Sequence, residues 1–201
     1  SKYSLNEAVE LLENSFFAYQ NNFNIKNLKK TFTSKLEVLE LLKFKDNNKK
    51  SIVLTETYRD NLIVGLELLE NDFNKDMNFY LMLVCSGLST TRQVLSLNDI
   101  YMDTYVKFQI MEEKINKMES FAGVKNTTSI EIGWFSIFNE YLHSQDIELV
   151  LTKFNISIGD FIRAGKEASE LSTKLFNIYK LKEFKIISDM FNNELIQKTM
   201  R

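Results

Sequence analysis

The side chains best equipped for chemistry are few in this sequence. Cys85 and His143 are its only cysteine and its only histidine, so it can form no internal disulfide and no Cys/His zinc quartet. A thiol nucleophile with an imidazole base would require these two to meet in space. Cys85, however, stands inside the apolar run Phe79–Leu88, where a small buried thiol is the ordinary occupant. His143 ends an amphipathic stretch, where an imidazole can interact with the C-terminus of a helix. Glu112, Glu113 and Glu119 read as the solvated face of a helix, because paired carboxylates need a pocket to act as acid and base. Neither a glycine-rich phosphate loop ending in Gly-Lys-Ser/Thr nor a dinucleotide-binding fingerprint occurs. The expectation is a chain with no catalytic site, no metal and no cofactor of its own; whether it is a piece of an enzyme stays open.

Basic residues offer more. Lys26, Lys29, Lys30 and Lys35 fall on one helical segment, and Lys43, Lys45, Lys49 and Lys50 follow in a polar turn. On a shared side they would make a phosphate-binding strip. The alternative is a solvated face balanced by Glu37 and Glu40. A formal net charge of −2 neither demands a polyanionic partner nor excludes one, since a basic face can sit on a neutral protein.

The elements that must position these groups are mostly helical. Proline is absent and glycine occurs six times, so forced breaks are rare. Ser4 and Glu7 form a capping-box pattern ahead of Leu5, Val9, Leu12 and Phe16 at helical spacing. Leu28, Phe32, Leu36, Leu39 and Leu42 line a second helix over Ile25–Leu42. The β-branched run Ile52–Thr55 after the basic turn suggests a short strand, and Thr57 can cap a helix with Leu62, Ile63, Leu66 and Leu69 on its buried face. That order fits a winged-helix module with Lys49 and Lys50 in the wing, or else three packed helices with a charged loop. From Asp76 onward everything reads helical. The spacing predicts a core segment at Met77–Leu88 and a long amphipathic helix from about Leu97, with Tyr101, Tyr105, Phe108, Met111, Ile115 and Met118 apolar and Gly123 ending it. It also predicts a helix capped by Thr127 or Thr128 that carries Ile132, Trp134, Phe135, Phe138 and Leu142. A short helix at Asp146–Lys153, a long one at Phe161–Tyr179 and a last one from Leu181 to Met200 follow. The expected fold class is mostly α: a helical bundle over 73–201, with the winged-helix-like module over 1–72.

One stretch resembles a known family. It comprises Trp134, then Asp146-Ile147-Glu148-Leu149-Val150-Leu151, then Ile158-Gly159-Asp160-Phe161-Ile162-Arg163, with Ala168, Leu171 and Leu175 at helical spacing. It looks like the C-terminal helical domain, called DSHCT, of superfamily-two DExH helicases related to the exosome-associated RNA helicases. The resemblance covers about the last third of the chain, and a winged helix ahead of a bundle matches the family's order. It implies an accessory region that guides a single strand of RNA or DNA, without ATPase motifs and beside upstream helicase lobes. Arg163 carries over as a nucleic-acid contact with Lys166 beside it. Where the family often has a second Arg one turn later, this chain has Glu167. The end, Gln197-Lys198-Thr199-Met200-Arg201, also departs from the family's Arg-Asp-rich helix and apolar tail. The motif has a physical reading of its own: Gly159 for an unusual backbone conformation, Asp160 as helix cap, and Arg163 as a five-donor fork for phosphate.

Two other functions compete with that reading: a helical protein–protein interaction module, and a winged-helix DNA-binding regulator that needs only the N-terminal third. No leader or membrane span is visible, and a lone cysteine suits a reducing compartment, so a cytoplasmic protein with no membrane partner is expected. The first residue, Ser1, and the last, Arg201, are compatible with a fragment of a longer protein.

Overall fold

The computed structural model describes residues 62–70, 75–89, 97, 99–123 and 129–192, together with residues 30, 33, 34, 37 and 38. The winged-helix expectation, Lys49, Lys50 and the run Ile52–Thr55 included, lies outside the described residues. The described residues form seven delimited helices and no strand: α1 Leu62–Glu70, α2 Met77–Ser86, α3 Asp99–Phe121, α4 Phe135–Ser144, α5 Ile147–Phe154, α6 Ile158–Tyr179 and α7 Lys182–Phe191. The bundle is mostly α, as the spacing of apolar residues requires.

The centre of the bundle is α2. Its sequence, Met-Asn-Phe-Tyr-Leu-Met-Leu-Val-Cys-Ser, has no charged side chain, and Phe79 to Ser86 are all buried. A helix apolar on every side is stable in water only when other helices surround it. Here α1, α3, α4, α6 and α7 all pack on it. Asp76 starts α2 by accepting the Phe79 N–H at 2.9 Å. Gly87 follows its last turn where a Cβ would come within 2.7 Å of Leu171 Cδ2. The neighbouring α1 is also buried on all sides from Leu62 to Leu69, not on the single face that Leu62, Ile63, Leu66 and Leu69 define. Lys75 reaches back to the Leu69 carbonyl, a cation at the negative end of α1. Residues 30, 33, 34, 37 and 38 are helical, as the segment Ile25–Leu42 predicts. Ser34 and Val38, one turn apart, are buried.

Small residues let α6 and α7 form a close hairpin. Ala164, Gly165, Ala168, Ser169 and Ser172 are buried on α6, and Phe184, Ile187, Ser188 and Phe191 on α7. The Ser169, Thr173 and Ser188 hydroxyls bond one another across the seam at 2.8–3.2 Å. An aromatic cluster ties α4 to both helices: Phe138 meets Phe191 at 4.6 Å and Phe161 at 5.8 Å, and Tyr141 meets Phe161 at 5.2 Å.

Two boundaries differ from the sequence reading. The fourth helix begins at Phe135, not near Thr127 or Thr128; Ile130 and Ile132 are buried outside any helix, and Trp134 stands at the N-cap position. Their apolar spacing reflects burial of an irregular segment. The long helix begins at Ile158, one turn before Phe161, because Ser157 rather than Asp160 caps it. Gly159 consequently lies within the first turn, where its backbone needs no left-handed conformation.

Candidate functional site

The cap at Ser157 organises the motif residues. The Ser157 hydroxyl accepts the Asp160 N–H at 3.1 Å and donates to Asp160 Oδ2 at 2.8 Å. The other oxygen, Asp160 Oδ1, holds the Arg163 guanidinium at 3.0 Å. Both side chains are largely in water, at 67% exposure for Arg163 and 48% for Asp160, so the ion pair adds little stability.

Arg163 and Lys166 share one open cleft of about 460 Å³, whose other lining residues are Ser89, Gly159, Ile162, Glu167 and Glu170. Glu167 stands one turn after Arg163. It accepts the Ser89 N–H at 2.6 Å and so ties α6 to the chain leaving α2. Among the described residues, and with Asp160 counted, three carboxylates face two cations. A phosphate entering the cleft would meet Arg163 already held by Asp160, Lys166, and the charges of Glu167 and Glu170.

Cys85 is fully buried, and burial pushes its thiol far above the ordinary range, so little thiolate forms near neutral pH. His143 is exposed on α4, its Nδ1 at 2.7 Å from the Asn139 carbonyl oxygen one turn back. The two residues therefore do not make a nucleophile and base. No group of His, Cys, Asp and Glu among the described residues could hold a metal ion. No helix among them is long and apolar enough to cross a membrane.

The carboxylates are less uniform than a solvated face. Glu113 is exposed, Glu112 is half-buried and Glu119 is buried, at 5% exposure. Burial raises the Glu112 carboxyl above its ordinary range against a backbone hydrogen bond with Ile130; the charge of Glu113 adds to the rise. Glu67, buried on α1, pairs with Lys114 of α3 at 3.7 Å. Burial raises its carboxyl, Lys114 lowers it, and Glu70 raises it further.

A second surface feature lies on α3. Phe108, Met111 and Ile115 bury one face of this helix. Met102, Val106 and Ile110 repeat one turn apart on the other, at 39%, 41% and 62% exposure, and Ile100 and Phe121 near its two ends are 75% and 88% exposed. The signal was present in the sequence: α3 carries two apolar stripes, and a single core needs only one. At 1.5 Å per residue the ridge from Met102 to Ile110 is about 12 Å long.

No protein-family model, curated protein or solved structure matches this chain.

Proposed function

We propose that this chain is a helical protein–protein interaction module that docks a partner along the exposed ridge of α3. The observation that supports it best is the run Met102, Val106 and Ile110 in water on a helix whose opposite face already supplies the core. Large apolar side chains aligned along a surface mark interaction sites, whereas scattered ones need no explanation. Apolar anchors at i, i+4 and i+8 are the pattern by which a helix enters a partner's groove. The test is Ile110→Asp. The exposed position should leave the thermal melt unchanged, while the chain leaves the assembly it occupies in extracts of its host. An assembly that survives the substitution contradicts the proposal.

A second reading, an accessory region that guides single-stranded RNA or DNA beside helicase lobes, draws support from one observation: Arg163 and Lys166 lie on the same open cleft. The three carboxylates around them weaken that support, because nucleic-acid affinity comes chiefly from cations freed to meet phosphates. The interaction module is the better reading for this reason.

A further inference from the structure

We infer that the partner on the α3 ridge is a second copy of this chain, the two α3 helices lying antiparallel and crossing at Ile110. The inference rests on the ridge being a docking surface. It adds the partner, and two features of the helix argue for that partner.

The first is the order of charges. Asp103, Lys107, Glu113 and Lys117 are exposed and stand seven and three residues before Ile110, then three and seven after it. Read outward from Ile110, each of these four charges has the opposite sign at the mirrored position; the exposed Asp99 and Lys114 have no charge at theirs. An antiparallel pair centred there sets Asp103 of each copy against Lys117 of the other, whereas a parallel pair in register would lay like charge on like. Asp103 and Lys117 lie on the same side of the ridge, so the two contacts form on one flank without crossing the seam. Neither is engaged in an ion pair with another of the described residues.

The second is shape. Among the described residues, Glu113, Asn116, Lys117 and Ser120 line a shallow, open hollow of about 380 Å³. Their spacing, i, i+3, i+4 and i+7, is that of the hole that receives one side chain from a facing helix. In the register that joins Asp103 to Lys117, the residue brought nearest this hollow on the ridge of the other copy is Met102. The two-fold symmetry repeats the contact at the other end, and the apolar side chains of Val106 and Ile110 fill the middle. One surface thus presents both knob and hole, as a self-complementary interface must.

The test uses the purified chain in analytical ultracentrifugation, with Asp103→Lys and Lys117→Asp made singly and then mixed. The wild type should sediment as a dimer. Each variant alone sets like charges together twice and should weaken the dimer by about tenfold or more in Kd. An equimolar mixture should recover wild-type association. In the mixed dimer the lysine introduced at position 103 faces the aspartate introduced at position 117, and the native Asp103 and Lys117 face each other at the second contact. Circular dichroism melts should not change, since both positions are exposed. Dimers that weaken in the single variants and do not recover on mixing would overturn the antiparallel arrangement. A wild type that stays monomeric at every concentration would overturn self-pairing. If Ile110→Asp still releases such a monomer from its host assembly, the ridge binds a different protein; if it releases nothing, the interaction-module reading fails as well.

Discussion

The ring of Phe191 rests on the backbone of Gly165, so close that a Cβ at position 165 would come within 2.7 Å of Phe191 Cδ1. At Gly159, six residues earlier on the same helix, an added Cβ would meet only Ser157 Oγ at 3.8 Å. The two glycines therefore make opposite predictions. Gly165→Ala overpacks the α6–α7 seam and should cost about 1–3 kcal/mol. Gly159→Ala relieves a helix of a flexible residue and should add about 0.5–1 kcal/mol. In a chain of this size each kcal/mol moves Tm by about 2–4 °C, so thermal melts separate the two. Equal melts would show that α7 is not seated on Gly165.

The buried Glu67 predicts a pH dependence. Its carboxyl titrates above the ordinary value of 4.5, chiefly because burial penalises the charge. A group of this kind binds its proton more tightly in the folded state, so its contribution to stability is greatest at low pH. That contribution is lost as the pH rises from the unfolded value through the folded one. Glu67→Gln removes the charge and should raise Tm near neutral pH. The gain should shrink as the pH falls through the carboxylate range, where wild-type Glu67 is itself neutral. A gain that does not change with pH would assign the effect to packing.

The burial of Cys85 predicts an inert thiol. A disulfide reagent reacts with thiolate, which burial suppresses and the surrounding α2 core shields. Native protein should label slowly, at a rate that climbs with denaturant as the chain opens. Fast labelling without denaturant would place Cys85 at the surface.

The cleft of Arg163 and Lys166 predicts weak attraction for nucleic acid. A single-stranded oligonucleotide should show no stable binding at about 0.15 M salt. Glu167→Gln with Glu170→Gln should increase whatever binding appears at low salt. Tight wild-type binding that falls with salt and is lost in Arg163→Ala would instead favour the strand-guiding reading.

The bundle was legible where one physical signal dominated. The apolar run Phe79–Cys85 read as a buried helix, and the structure surrounds it on every side; the short helix expected over Asp146–Lys153 is there too, capped by the Asp146 carboxylate, which accepts the Leu149 N–H at 3.0 Å. It was less legible where two signals overlap. Ser157 and Asp160 are both capping residues three positions apart, and only the fold shows that the first caps the helix while the second holds Arg163. Ile132 and Trp134 were read onto the same helix as Phe135, Phe138 and Leu142, yet Ile132 is buried in an irregular approach to α4 and Trp134 stands at its N-cap. Glu119 was grouped with Glu112 and Glu113, but it stands one turn after Ile115 on the buried face of α3. The α3 ridge was hidden for a related reason: apolar residues are first assigned to the interior, and only their exposure shows which stripe is left over.

The most direct measurement of the central claim is photo-crosslinking in host cells, with a photoreactive amino acid placed at position 110 and, as control, at the exposed polar position 148 on α5. A docked ridge holds its partner within reach of position 110. The account predicts a discrete adduct from position 110, at twice the mass of the chain, and none from position 148. An adduct of another mass would name a different partner for the same ridge. No adduct from position 110, or the same faint smear from both positions, would contradict the claim that α3 docks a protein.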